Sequence, residues 1–257
     1  MLRRIFPFLL ASVLMTGCFR STVPNEDNII KETAAIESET ASTETDLSEG
    51  VSYPELYRDV LDEFYEIITE NKESTVEGTM GVSEQLVHLD SAAALERIGY
   101  GIMDISKDGI PELVIGSVSP EGEMALGTMI YAVYTVSDGK PTFVFEGRTK
   151  HSFRPMTDGG IFYQGSDGAM YSVFGIYDLT ENGQRMNPRE YYFTFPKNED
   201  QTEIGFFHNK TGEWDSARSE ELLISFDELS QIQLGMIENV CKWDLIPFLK
   251  WSATALD

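Results

Sequence analysis

The sequence has few of the residues from which metal clusters and disulfide frameworks are built. It contains two cysteines and three histidines in 257 residues. No second histidine lies three to five positions from another, so zinc spacing is absent, and two cysteines cannot form a disulfide framework. Phosphate-binding glycine loops and a Gly-x-Ser-x-Gly motif are also missing. A catalytic site assembled from distant residues stays open, but the sequence favours a protein that is not an enzyme.

Basic side chains are scarce as well. The chain has 19 Lys and Arg against 43 Asp and Glu, which gives a formal net charge of −24. Residues 1–18 carry +2 and residues 19–50 carry −6, so residues 51–257 carry −20. Proteins hold nucleic acids and anionic lipid surfaces mainly through Lys and Arg. We therefore expect no nucleic acid among the partners of this protein.

Long apolar runs are also lacking. The longest extends from Ile5 to just beyond Met15, which is shorter than the roughly 20 residues that span a bilayer. Two arginines precede this run, and two small residues separate it from Cys18. The pattern resembles the lipobox of bacterial lipoprotein signal peptides. The resemblance implies that residues 1–18 are a signal peptide and that Cys18 is lipidated. An ordinary secretory signal with an incidental cysteine is the alternative.

The lipoprotein resemblance also implies a location and a domain organisation. The protein would be attached by its lipid to the extracytoplasmic face of the bacterial cell membrane. Residues 19–50 are rich in Ser, Thr and Glu and poor in apolar residues, which predicts a disordered acidic tether. Residues 51–257 have the length and composition of a single folded domain.

Helical periodicity appears at both ends of this domain. It predicts a helix over about 53–71, begun by a capping box from Ser52 to Glu55, and a second over about 84–98. The second helix should break near Asp90 and end at Gly99. Another capping box, from Ser225 to Glu228, predicts a C-terminal helix whose apolar face extends to residue 240. Residues 246–249 are expected to add an edge strand.

The middle of the domain has the pattern of an antiparallel sheet. Runs rich in β-branched and aromatic residues alternate with Asp-Gly and Asn-Gly turns, which is typical of hairpins. Two strands are predicted within 100–118, one on each side of an acidic loop, and further strands over 129–136, 142–146, 160–164, 169–178, 189–195 and 203–208. The predicted fold class is α+β: N-terminal helices, an antiparallel β meander, and a C-terminal helix packed on one face of the sheet.

One loop between two predicted strands suggests metal chemistry. Counted from Asp104, oxygen ligands fall at positions one, three, five and nine: Asp104, Ser106, Asp108 and Glu112. Position seven offers the carbonyl of Ile110, and a glycine at position six permits the sharp bend. Calcium prefers six to eight such oxygens from a flexible loop.

This Asp-x-Ser-x-Asp-Gly-x-x-Glu loop resembles the calcium loops of FG-GAP repeats and of EF-hand-like proteins. The resemblance implies calcium as a cofactor, with the five ligands just named. A serine at position three and the absence of a glutamate at position twelve depart from those loops. The alternative is a plain turn, in which Asp104 and Ser106 bond to loop amides and Glu112 faces water.

Three functions remain open on this evidence. The first is a membrane-anchored lipoprotein with a non-catalytic binding domain for a protein, peptide or polysaccharide; the pattern resembles uncharacterised bacterial envelope lipoproteins. The second is a cell-wall or polysaccharide hydrolase with paired carboxylates about 5–10 Å apart in a cleft. The third is an inhibitor or immunity-like partner that uses its acidic surface against a basic protein.

Overall fold

A computed structural model describes residues 52–119 and 127–251. Residues 1–51, which include Cys18 and the predicted tether, lie outside the described residues. The helices are α1 (Tyr53–Leu56), α2 (Arg58–Glu70), α3 (Met80–Leu86), α4 (Ser91–Arg97) and α5 (Phe226–Ile237), with short 3₁₀ turns at Ser216–Arg218 and Phe248–Lys250. No helix in this part of the chain is both long enough and apolar enough to span a bilayer.

The strands form one antiparallel sheet. They are β1 (Ile98–Met103), β2 (Glu112–Ser117), β3 (Ile130–Ser137), β4 (Lys140–Glu146), β5 (His151–Pro155), β6 (Ile161–Gly168), β7 (Tyr171–Leu179), β8 (Met186–Pro196), β9 (Ile204–Asn209), β10 (Glu220–Leu222) and β11 (Ile246–Pro247). Their order is β10-β9-β8-β7-β6-β5-β3-β2-β1-β11, and β4 pairs with β3 beside this path. The mixed fold with a large antiparallel sheet agrees with the sequence prediction, although strands dominate.

The first predicted helix is divided in two at Tyr57. This residue has φ −90° and ψ 1°, and its buried hydroxyl donates to the carbonyls of Pro111 (2.9 Å) and Tyr134 (3.3 Å). These contacts are tertiary, so the helical pattern alone does not reveal the break. The predicted capping box at Ser52 is wrong, because the Ser52 side chain makes no capping hydrogen bond.

The second helical region also differs at its ends. The predicted break is confirmed: Asp90 caps α4 by accepting a hydrogen bond from the N–H of Ala93 at 2.8 Å. The predicted stop at Gly99 is wrong, since α4 leads directly into β1. A Cβ at Gly99 would lie 2.6 Å from the carbonyl oxygen of Ile246 on β11. The glycine is therefore needed for close strand packing.

Each face of the sheet is covered differently. The N-terminal helices pack on one face of β2 and β3, where Leu113, Ile115 and Tyr134 are buried. The other face of these strands buries Val114 and Val133 together with residues of β6, β7 and β8. Because those strands are distant in the sheet order, the sheet curls over itself. This curl brings the β7–β8 turn against β2 and β3.

The C-terminal helix begins as predicted. Ser225 and Glu228 form the capping box, and Leu229 is buried with Phe162 and Phe174 on the face of β6 and β7. The helix ends at Ile237, before the predicted limit. The polar first turns of α5 stand over the ends of β5 to β8, and this arrangement forms the groove described below.

Candidate functional site

The acidic loop connects β1 to β2 and is held by its own carboxylates. The Asp104 carboxylate accepts hydrogen bonds from the N–H groups of Lys107 (2.7 Å) and Gly109 (3.0 Å), and Asp108 accepts one from Ile110 (2.7 Å). Lys107 and Gly109 have φ values of 66° and 88°. A glycine adopts such a backbone readily, whereas Lys107 depends on the Asp104 contact. Two predicted metal ligands therefore shape the bend.

Two of the remaining three predicted ligands, Ser106 and Ile110, have separate surroundings. The Ser106 hydroxyl lies 3.5 Å from Asp104 Oδ1, at the limit of a hydrogen bond. Ile110 packs its side chain against the core beneath the N-terminal helices. The exposed side of the loop thus presents the carboxylates of Asp104 and Asp108 to solvent.

Glu112, at position nine of the loop, is fully buried. Its Oε2 accepts hydrogen bonds from the N–H groups of Ile105 (2.7 Å) and Ser106 (3.3 Å). Its Oε1 has no hydrogen-bond partner among the described residues. Burial raises the pKa of this carboxyl above its usual value. The plain-turn expectation that Glu112 faces water is wrong, because the curled sheet covers it.

The β7–β8 turn, which contains Gly183, packs against Oε1 of Glu112. A Cβ at Gly183 would collide with Glu112 Oε1 and would lie 2.8 Å from the hydroxyl of Thr135, a second buried oxygen without a partner. The turn is fixed beside β3 by a hydrogen bond from the Gln184 amide to the Ser137 hydroxyl at 3.1 Å. Glu112 Oε1 and the Thr135 hydroxyl are thus enclosed between strands β2 and β3 and the β7–β8 turn.

Whether the loop can hold a metal ion depends on where its predicted ligand atoms lie. Among the residues that the structure describes, no three Asp, Glu, His or Cys side chains form a group suited to holding a metal. Asp104 and Asp108 lie on the exposed side, whereas Glu112 is enclosed below the loop. Calcium binding by Asp104, Ser106, Asp108, Ile110 and Glu112 stays a prediction.

A groove of about 390 Å³ lies between α5 and the sheet. Its lining comes from the turn before β5, from β5 to β8, and from the first half of α5. The lining residues are Thr149, Lys150, Ser152, Gln164, Gly165, Ser166, Ser172, Val173, Phe174, Thr194, Phe226, Leu229, Ser230 and Gln233. We refer to this space as the α5 groove.

Nine of the 14 residues that line the α5 groove carry a hydroxyl, amide or ammonium group, although apolar atoms make up more of its exposed surface. Lys150 is the one charged side chain in the lining, and no Asp or Glu is present there. The buried hydroxyl of Thr194 is used internally, since it accepts from the N–H of Ser172 and donates to the carbonyl of Met170, both at 2.8 Å. The amides of Gln164 and Gln233 have no internal partner among the described residues, which leaves them available to a ligand.

One carboxylate pair elsewhere bears on the hydrolase alternative. Arg189 on β8 forms salt bridges with Asp158, at 2.6 Å, and with Asp178. Asp158 lies in the β5–β6 turn and Asp178 on β7, so the two salt bridges connect that turn to β7 and β8. A hydrogen bond from the Gly160 N–H, together with Arg189, lowers the pKa of Asp158. A glycosidase acid needs a raised pKa. We therefore assign Asp158 and Asp178 a structural role, in which both carboxylates bind Arg189.

From the sequence, Tyr163, Tyr171 and Trp214 are expected either to contact a ligand or to pack in the core. The structure places them on the face of the sheet opposite the α5 groove. Tyr163 stacks on Phe153 with ring centroids 4.8 Å apart, and Tyr171 contacts Trp214 at 6.3 Å. The Trp214 indole donates to the carbonyl of Thr194 at 3.3 Å. Their role is core packing, which was the other expectation.

The sequence did not identify the α5 groove. Its glutamines and serines come from three strands and one helix, and each alone has the pattern of an ordinary half-exposed position. The available signal was weak: serine and glutamine recur on the face of β5 to β7 that carries Phe162 and Phe174. No family model, curated protein or solved structure matches this chain.

Proposed function

We propose that this protein is a lipid-anchored, extracytoplasmic binding protein of the bacterial envelope, and that the α5 groove is its non-catalytic binding surface. The observation that carries this proposal is the chemistry of the groove. In a chain with 43 acidic residues, a concave surface bordered by five secondary-structure elements carries no carboxylate and a single cation.

The dimensions and lining of the groove support a binding role. Ligand sites in proteins commonly have volumes of about 300–1,000 Å³ with a few polar groups placed to orient the ligand. The α5 groove has about 390 Å³, unpartnered amides at Gln164 and Gln233, and an exposed ring at Phe226. Its lining includes no histidine, cysteine or carboxylate to serve as a general base or metal ligand. These groups therefore support ligand binding without catalysis.

The proposed location rests on the N-terminal sequence. Cys18 follows a short apolar run and two arginines, and residues 19–50 would tether the folded domain to the membrane surface. The strongly acidic domain, with a charge of −20, has no electrostatic attraction to anionic lipid. A covalent lipid at Cys18 would therefore supply the membrane attachment.

Co-sedimentation with isolated bacterial cell envelopes tests the binding role. The Cys18→Ser chain is used, so that a lipid anchor does not contribute. We expect this chain to sediment with the envelopes and Gln233→Ala to reduce the bound fraction at least fivefold. Gln231→Ala is the matched control, because Gln231 lies on the same helix, is exposed and is not part of the lining. Absence of sedimentation, or equal loss in both variants, would contradict the proposal.

The acidic-partner alternative is favoured by net charge alone. It predicts association with a basic protein that weakens steeply as salt rises from about 0.05 to 0.5 M, because charges on protein surfaces are screened over that range. Binding through the α5 groove, whose lining among the described residues has one charged side chain, should change much less over the same range. The salt dependence of co-sedimentation therefore separates the two functions.

A further inference from the structure

The α5 groove carries enough chemical detail to specify a ligand class. We infer that its ligand is a neutral glycan chain, held by side-chain amides and hydroxyls and covered on one side by the ring of Phe226. This inference rests on the proposed function, in which the groove is a binding site. It specifies which class of ligand the groove binds.

The hydrogen-bonding groups of the groove match those of a sugar. Each hydroxyl of a glycan is both donor and acceptor, and it is best matched by groups with the same dual capacity. Eight lining residues carry such groups: Thr149, Ser152, Ser166, Ser172, Thr194, Ser230, Gln164 and Gln233. The hydroxyls of Ser152, Ser166, Thr194 and Ser230 already make hydrogen bonds within the protein and would have only their remaining capacity for a ligand. Among the eight, Gln164 on β6 and Gln233 on α5 approach the groove from different elements and have no internal partner within the described chain. They would contact the ligand from the sheet and from the helix.

The exposed aromatic ring supplies the second element of sugar recognition. Phe226 is 66% exposed although it begins α5, and its ring centroid lies 6.5 Å from that of Phe206. An exposed phenyl ring costs free energy in water unless a ligand covers it. The C–H face of a pyranose ring is apolar and flat, so it would cover Phe226 while its hydroxyls reach the groove.

Other ligand classes fit the groove less well. An extended peptide commonly adds to a free strand edge, but β5 to β8 are paired on both sides, and the groove lies on their face. An amphipathic helix needs a continuous apolar trough, whereas nine of the 14 lining residues here carry a polar side chain. A polyanionic glycan or a phosphorylated chain would meet a domain of charge −20 through Lys150 as the only cation in the lining.

A panel of soluble neutral oligosaccharides provides the test. The panel holds hexose and N-acetylhexosamine oligomers, and binding to the full chain in detergent is measured by isothermal titration calorimetry. We expect binding to at least one member, with an affinity reduced at least fivefold by Gln233→Ala and by Phe226→Ala. Gln231→Ala and Leu223→Ala are the controls, since both residues are exposed and lie outside the lining. Heparin is the polyanionic comparison and should not bind.

The outcomes distinguish this inference from the proposed function. No binding to any panel member, alongside envelope sedimentation that still depends on Gln233, overturns the glycan class and leaves the groove as a site for another ligand, such as a peptide. Oligosaccharide binding that is unchanged in both groove variants overturns the placement in the α5 groove. Loss of sedimentation altogether contradicts the proposed function itself.

Discussion

Glu112 on β2 and Thr135 on β3 each direct a buried oxygen at Gly183, and neither oxygen has a hydrogen-bond partner within the described chain. An ionised Glu112 would be costly in this position, because a buried charge needs a partner for each of its oxygens. A protonated Glu112 avoids this cost, because it is neutral. The raised pKa of Glu112 agrees with this protonated form.

Replacing Glu112 by glutamine should stabilise the protein above neutral pH. Glutamine keeps an oxygen for the N–H groups of Ile105 and Ser106 and carries no charge. Because the folded pKa of Glu112 is raised, the folded state binds more protons, and stability falls as pH rises through that pKa. Glu112→Gln should remove this loss and add about 1–2 kcal/mol at pH 8.

Thermal unfolding at pH 4 to 8 in the presence of a chelator measures this effect. The melting temperature of Glu112→Gln should exceed that of the natural chain by roughly 3–6 °C at pH 8, with little difference at pH 4. Glu96→Gln is the control, because Glu96 is exposed on α4. A lower melting temperature for Glu112→Gln at pH 8 would show that the ionised form is stabilised in the fold.

Gly183→Ala should destabilise the protein more than a positive φ alone explains. The φ of Gly183 is 63°, and the new Cβ would collide with Glu112 Oε1. Gly139 is a matched control, since it has φ 71° in the β3–β4 turn and open space around its Cβ position. We expect Gly139→Ala to cost about 1 kcal/mol and Gly183→Ala at least about 2 kcal/mol in urea unfolding. Equal costs would indicate that the turn moves away from Glu112.

Calcium binding by the acidic loop predicts a rise in melting temperature. With the affinity of an extracellular module, 10 mM calcium would add about 1.4–2.7 kcal/mol, whereas magnesium at the same concentration would add little. Asp108→Asn should abolish the shift, because asparagine keeps the hydrogen bond from the Ile110 N–H and removes only the charge. The absence of any calcium-dependent shift in the natural chain would end the metal prediction.

Lipidation predicts that membrane attachment depends on Cys18. In a bacterial host, the natural chain should fractionate with membranes and enter the detergent phase of a Triton X-114 separation. Cys18→Ser should move the protein to the soluble fraction, because a single apolar segment of this length does not span a bilayer. Cys241→Ser serves as the control for loss of a thiol. Membrane retention of Cys18→Ser would contradict lipidation.

Local sequence signals predicted the β3–β4 hairpin and two of the helix caps, whereas the caps expected at Ser52 and Gly99 are absent. The β3–β4 hairpin follows its Asp-Gly turn, Asp90 divides the second helical region, and the Ser225–Glu228 capping box begins α5. These features depend on contacts within four or five residues, which the sequence displays directly. The periodicity of the first helix was also correct, apart from the break at Tyr57.

Long-range contacts account for most of the differences. Strand β5 was not predicted, because its sequence His-Ser-Phe-Arg-Pro lacks a β-branched run and becomes a strand by pairing with β6. The break at Tyr57 depends on carbonyls more than 50 residues away. The burial of Glu112 requires the β7–β8 turn, which the alternation of β2 does not indicate.

The sequence by itself determined the scarcity of cations, the short apolar run before Cys18, the order of most helices and strands, and the oxygen-rich bend at Asp104. Each of these is a property of composition or of neighbouring residues. Only the tertiary structure decided that Glu112 is enclosed and that amides from β6 and α5 share one groove. The curl of the sheet and the docking of α5 set these positions, because both depend on side chains that are distant in the chain and meet only when the apolar surface is buried.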